Sequence, residues 1–211
     1  MTTPCRALIL VDVQQEYFGG PLEIRYPAHT ESLPRILAAI DAATAANVPI
    51  AAIQHSGGET APVFNPTTDG FSLHPEVERR RDESWKSVTK RYGTIFAETD
   101  ILEWLRARNI DTITLVGYMT NNCIIASAAE SETHGLAAEV LSDATGSISI
   151  ANGAGFADAQ TVHETFMTVL NSNFAAVATT AEWVSAVSDG AELARGDLGS
   201  SAVTGAQRAA Q

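Results

Sequence analysis

The chain is poor in the residues that would tie it to several large classes of protein. It has two cysteines in 211 residues, Cys5 and Cys123, so no disulfide framework is indicated. Basic residues are scarce, 13 Lys and Arg against 25 Asp and Glu for a net charge of −12. No face of such a chain attracts nucleic-acid phosphates or anionic lipid by bulk electrostatics. Long apolar runs are missing too: Ala7 to Val11 follows Met1, two threonines, Pro4 and Arg6 without a basic leader or a cleavage site. Neither a signal peptide nor a membrane span is expected, and the cytoplasm is the default compartment. There is no internal repeat. A glycine-rich phosphate turn is also lacking, because VQQEYFGG has Gly19 and Gly20 arriving late with no third glycine.

What is present is the composition of an ordinary globular domain, 45% hydrophobic, with length for one α/β domain but not for a second. Ala7 to Val13 (ALILVDV) reads as a strand buried on both faces of a parallel sheet. Leu33, Ile36, Leu37 and Ile40 recur at helical spacing from about Ser32 to Asn47, with Pro34 suited to the first turn. Val48 to Gln54 is a second strand and Ser87 to Lys90 a third. A helix capped by Thr99 runs to Arg108, and Asp111 to Tyr118 is a fourth strand. The Cys123 helix runs to about His134 and is ended by Gly135. Ala138 to Asp143 is a fifth strand, Asp158 to Leu170 a helix, Ala175 to Thr179 a sixth strand, and Ala181 to Val187 a last helix. Alternating strands and helices imply a three-layer, doubly wound α/β fold, a parallel sheet with helices on both faces. Two segments stand apart. Residues 55–85 are rich in Gly and Pro with no sustained period beyond a short helix near Glu76, which suggests a lid or an oligomer contact. Residues 188–211 read as a tail that is flexible or ordered by a partner subunit, leaving residues 1–187 as the domain.

Three chemically active residues fall at strand ends, where open parallel sheets bind ligands. Asp12 ends the first strand, and a carboxylate within apolar sequence needs a cation or proton donor as partner. Lys90 ends the third strand in VTKRY and is a more enclosed candidate than Lys86 or Arg91. Cys123 lies in MTNNCIIASAAE directly after TITLVGY. A thiol in the first helical turn feels the positive end of the macrodipole, which predicts a lowered pKa. Carboxylate, cation and thiol together make an apparatus for acyl transfer. Phe18, Trp85, Tyr92 and Met119 are the apolar residues nearest to it in sequence and are candidates for the substrate pocket. Arg91 or one of Arg79 to Arg81 could reach in from the long loop. A redox thiol protein would also use such a cysteine, but it would bring a resolving partner at CxxC spacing, and Cys5 lies far away in the sequence.

These segments resemble the isochorismatase-like cysteine hydrolases, the family that includes nicotinamidase and N-carbamoylsarcosine amidase. The resemblance rests on ALILVDVQQEYF with Asp12 and Gln14, VTKRYGTIFAETDILEWLRARNI with Lys90 and Phe96, LVGYMTNNCIIASAAESETHG with Cys123, and EVLSDA with Asp143. It implies a six-stranded parallel sheet, an Asp12–Lys90–Cys123 triad, and cleavage of a C–N bond in a small amide, carbamoyl, lactam or ureido compound through a thioester. It also implies a cis peptide between Tyr118 and Met119 that aims the Met119 N–H, beside the Cys123 N–H, at an oxyanion. Homodimers or homotetramers are common in the family. The chain departs from the nicotinamidases at IQHSGGETAPVF, where the Asp-x-His metal motif is missing; His55 has no partner at that spacing, so neither a metal nor another cofactor is expected.

Overall fold

A computed structural model describes residues 3–211. The first apolar run becomes β1 (Arg6–Val11), buried along its whole length. Ala7, Ile9 and Val11 face one core while Leu8 and Leu10 face another, which is why the run shows no polar alternation. Beyond it come α1 (His29–Ala45), β2 (Ile50–His55), the single turn α2 (Pro75–Glu78), β3 (Lys86–Lys90), α3 (Ile101–Arg106) and β4 (Thr112–Tyr118). A π-helical turn (Thr120–Ile124) leads into α4 (Ile125–Ser131), followed by β5 (Ala137–Gly146), the hairpin β6 (Ile150–Asn152) and β7 (Gly155–Ala157), and α5 (Ala159–Val169). The chain ends with β8 (Ala176–Ala178), α6 (Thr180–Asp189) and α7 (Leu198–Ala209).

Six strands form one sheet in the order β3-β2-β1-β4-β5-β8, every pair parallel. The order reverses between β1 and β4, so the chain leaves those two strands in opposite directions and opens a crevice at their carboxyl ends. Residues of α3, α4 and α5 cover the face bearing Ile9 and Leu115, and those of α1 and α6 cover the face bearing Leu8 and Val116. One contact at the crevice is unusually close. Gly117, at φ +104°, approaches β1 so nearly that a Cβ there would lie 2.1 Å from the Val11 carbonyl oxygen. Deeper in, Arg6 pairs with Glu139 at 2.8 Å. Glu139 also accepts from Thr114 Oγ1 at 2.8 Å and Trp183 Nε1 at 3.1 Å, which ties β1, β4, β5 and α6 together and satisfies a buried carboxylate.

Several boundaries differ from the sequence expectation. Helix α1 starts at His29, so Pro34 lies inside it and removes one intrahelical bond. Thr99 does not cap α3; its hydroxyl donates to the Ile95 carbonyl, and Asp100 stands at the cap position. Strand β5 runs three residues past Asp143, beyond a register irregularity opposite Leu115 to Gly117. Asp143 fastens α6, accepting from Thr180 N and Oγ1 at 2.7 Å each. The tail is helical over α7, whose start is capped by Asp197 accepting from Ser200 N at 2.8 Å. None of its residues is buried. Among the described residues no helix is long and apolar enough to cross a membrane.

Candidate active site

Strand order and register bring the three chemically active residues together. Asp12 follows the end of β1 in the left-handed region, at φ +50°, a conformation that Asp tolerates better than most residues. Lys90 is the last residue of β3, and Cys123 sits in the π-helical turn after β4. Lys90 Nζ lies 2.7 Å from Asp12 Oδ2 and 3.2 Å from Cys123 Sγ. The Asp12 contact is an ion pair without ideal hydrogen-bond alignment, and among the described residues Asp12 Oδ1 has no well-aligned hydrogen-bond partner either. The residues are 0%, 1% and 3% exposed for Asp12, Lys90 and Cys123, so the three side chains meet in a nearly water-free setting.

That burial corrects the expected thiol. Withdrawal from water, aided by the Asp12 carboxylate, pushes the Cys123 thiol up to about 12, and Lys90 only partly opposes the rise. A helix start lowers a cysteine pKa where solvent still reaches the sulfur; here desolvation is the larger effect. Burial alone would pull Lys90 down as well, but Asp12 and Cys123 outweigh it and leave the ammonium raised. The resting site therefore holds a neutral thiol beside a fixed ion pair.

A fourth group joins these three. His55 is the last residue of β2 and the register partner of Lys90, so both side chains rise from one face of the sheet. His55 Nδ1 is 3.2 Å from Lys90 Nζ, and the Tyr92 carbonyl accepts from the same ammonium at 3.1 Å. Buried Gln14 grips the His55 backbone on both sides: His55 N–H donates to Gln14 Oε1 at 2.8 Å, and Gln14 Nε2 donates to the His55 carbonyl at 3.1 Å. Donor atoms of Asp12, His55 and Cys123 lie within 4.8 Å of one another, a spacing that could suit a metal ion. All three converge on Lys90 Nζ, so a cation of the chain's own already stands among them.

The expected pocket residues divide. Met119 adjoins the site and is almost buried; the Tyr118–Met119 peptide is cis. Its carbonyl accepts from Asn122 and Ile124 N–H at 3.1 and 3.2 Å, passing over the Cys123 N–H. Among the described residues the Met119 N–H has no acceptor. Phe18 packs on Tyr118 and on the rings of His29 and His74. Tyr92 reaches the site only through its carbonyl, since its ring is 49% exposed and its hydroxyl donates to Glu98. Trp85 is not at the site. It precedes β3 and lines a cavity of about 340 Å³ with Asn47, Pro49 and Arg108, and the length of the strand, about 16 Å for five residues, separates it from Lys90.

The arginines of the long segment also turn away. Arg80 pairs with Asp41, Arg81 with Glu78 and Ser87, and Arg79 with Glu76. Lys86 pairs with Asp100. Cys5 is pinned to β4: its N–H donates to Asp111 Oδ1 at 2.9 Å, and its carbonyl accepts at the start of that strand. The seven residues of that strand place it roughly 20 Å from Cys123, far outside disulfide reach. The aromatic that senses the triad is buried Tyr17, whose phenol is held high by burial and then by the charges of Asp12 and Cys123. Tyr17 was not singled out by sequence, and His55 only as a histidine without a metal-motif partner; the signal for its role was its place at the end of a strand next to β1.

Comparison with known proteins agrees with this architecture. Residues 6–182 match the model of the isochorismatase domain. An uncharacterized isochorismatase family protein of Bacillus subtilis, YddQ, is 29% identical over 182 residues, 85% of this chain and 97% of the relative. The nicotinamidase/pyrazinamidase of Mycobacterium tuberculosis is 28% identical over 163 residues, covering 68% of this chain and 88% of that enzyme. Among solved structures, a candidate isochorismatase from Burkholderia xenovorans superposes over 100% of both chains with a TM-score of 0.95 and 45% identity. With a six-stranded parallel sheet of the same kind and a domain match spanning most of its length, the chain belongs to the isochorismatase family.

Proposed function

We propose that the protein is a cysteine-dependent hydrolase of C–N bonds in small molecules, acting through Asp12, Lys90 and Cys123. The observation that carries this reading is the single ammonium in contact with both a carboxylate and a thiol, all three buried. A neutral thiol needs a base, and the unpartnered Oδ1 of Asp12 offers a free lone pair beside it. As Sγ attacks the carbonyl carbon, Asp12 takes the thiol proton, and the Met119 and Cys123 N–H groups receive the oxyanion. Protonated Asp12 then gives that proton to the leaving nitrogen, the C–N bond breaks, and a thioester remains. Water attacks the thioester with Asp12 again as base, which releases the acid and restores the thiol. Lys90 holds the carboxylate in place and balances the negative charge as it passes between Asp12 and sulfur.

Near-complete burial of the reacting atoms favours a small substrate whose amide, carbamoyl, lactam or ureido end enters the crevice. The nicotinamidase/pyrazinamidase relative supports the reaction class; the substrate is left to experiment. Ammonia or amine release from a panel of such compounds, measured for the wild-type chain and for Cys123→Ala, tests the proposal. Turnover is expected in the first and none in the second, with thermal stability nearly unchanged. Equal turnover in both would overturn it.

A further inference from the structure

Lys90 has more acceptors than protons. An ammonium carries three N–H donors and no acceptor, yet four atoms lie within 3.2 Å of Nζ: Asp12 Oδ2, Tyr92 O, His55 Nδ1 and Cys123 Sγ. Two of these, Asp12 as the ion-pair partner and the Tyr92 carbonyl as a hydrogen-bond acceptor, still face Nζ in the acyl-enzyme before water attacks. The sulfur no longer accepts. Once Sγ is bonded to an acyl carbon its lone pairs are poor acceptors, and the N–H that pointed at it is left unmatched in a site with almost no access to water. A charged donor without a partner in such a setting is costly.

We propose that His55 is a positioning residue that accepts this Lys90 proton while Cys123 is acylated. The inference rests on the cysteine-hydrolase reading above. No proton is transferred in the exchange: Nζ keeps its three protons, His55 stays neutral, and one hydrogen bond replaces another at equal range. Because an ammonium can only donate, Nδ1 presents its lone pair to it, and the ring proton resides on Nε2. Burial, and after it the charge on Lys90, lowers the His55 pKa, which keeps that lone pair free. The position is built rather than incidental. β2–β3 register sets the two side chains side by side, the Gln14 amide fixes the His55 backbone, and the Phe64 ring packs 5.2 Å from the imidazole.

The test follows the acyl state directly, with p-nitrophenyl acetate as the probe. The wild-type chain, Cys123→Ala, His55→Leu, His55→Asn and His55→Gln are each mixed with the ester, and the acetyl adduct on Cys123 is followed by intact mass as it decays. Asn places its Oδ1 close to the position of Nδ1, whereas the longer Gln carries its oxygen beyond it. His55→Leu and His55→Gln are expected to slow decay of the adduct about tenfold or more, while His55→Asn restores it to within about threefold of wild type. Melting midpoints separate a folding defect from this effect, and if His55→Leu does not fold, the Asn and Gln pair decides alone. Decay in the Gln variant as fast as in wild type, or in the Asn variant as slow as in Gln, would overturn the role of His55. Absence of a Cys123 adduct in the wild-type chain would instead remove the nucleophile reading, and with it this inference.

Discussion

Replacing Asp12 with Asn is expected to move two properties of Cys123 in opposite directions. A rise in the thiol from 9.0 to about 12 amounts to about 4 kcal/mol against the thiolate, which keeps the sulfur protonated at neutral pH. Burial is the largest cause, and the Asp12 carboxylate is the second. At a separation of at most 4.8 Å and an effective dielectric constant of about 20, that carboxylate costs the thiolate on the order of 3 kcal/mol. Asp12→Asn removes this repulsion and frees Lys90 to attend to the sulfur, so alkylation of Cys123 should quicken by about ten- to a hundredfold at a given pH. Turnover, which needs the base, should vanish. The assay is labelling by iodoacetamide from pH 6 to 11, read by intact mass in a Cys5→Ser background that removes the exposed thiol. In that background the rate should climb about tenfold per pH unit with no plateau below pH 11; Asp12→Asn should level off earlier. A plateau below pH 9 in the parent, or slower labelling in Asp12→Asn, would refute the reasoning.

Three further outcomes follow from the same geometry. Lys90→Met leaves the Asp12 carboxylate buried without its cation, so urea unfolding should show a loss of about 3–5 kcal/mol, part of which returns in the Asp12→Asn, Lys90→Met double variant. Gly117→Ala forces a Cβ to within 2.1 Å of the Val11 carbonyl at a φ of +104°; a loss of about 3 kcal/mol or more is expected in the same assay. His163, whose Nδ1 lies 2.9 Å from Thr120 Oγ1 at the head of the cysteine turn, is lowered by burial from 6.5 to about 4. Between those values the unfolded chain binds a proton that the folded chain refuses. Stability should therefore fall by about 3 kcal/mol as pH drops from 6.5 to 4, and His163→Gln should flatten that slope.

The legible parts of the fold were those buried on both faces. β1 and β4 sit at the centre of the sheet, so every side chain is apolar or paired and the strands read as unbroken runs. Polar residues blurred the end of β5, where Ser142 bonds to the Ala178 carbonyl, Asp143 to Thr180, and Thr145 is buried among the apolar residues. The hairpin β6–β7 is six paired residues around Gly153 and Ala154, too short for any period to register. α7 escaped because Gly, Ser, Ala and Thr dominate it, and its two large apolar residues, Leu198 and Val203, stay exposed. At the site, Asp12 and Lys90 were legible because a charge at the end of an apolar strand must find a partner. His55 was visible as a strand-end histidine, but its contact with Lys90 was not, since that depends on a parallel pairing across more than thirty residues. Trp85 was misplaced by the opposite fault: closeness in sequence ignored the direction in which β3 carries the chain. The thiol pKa was misjudged because helix position is a local property and burial is not.

In the mechanism proposed above, a neutral thiol also changes how charge moves through the site. A cysteine held as a thiolate would place two negative groups, sulfur and Asp12, beside one ammonium in a medium that screens charge poorly. A neutral thiol leaves one negative group there, and passing its proton to Asp12 still leaves one. The charge next to Lys90 is thus the same before and after nucleophile activation; only its location moves, by less than 5 Å. In a buried site this matters more than the pKa of either partner alone, because changing the net buried charge carries a desolvation penalty, whereas moving charge between two groups that share a counter-ion largely avoids it. On this argument Lys90 has its principal effect by contacting both partners, 2.7 Å from one and 3.2 Å from the other, and a cation that touched only the sulfur could stabilise a thiolate without making the proton transfer reversible.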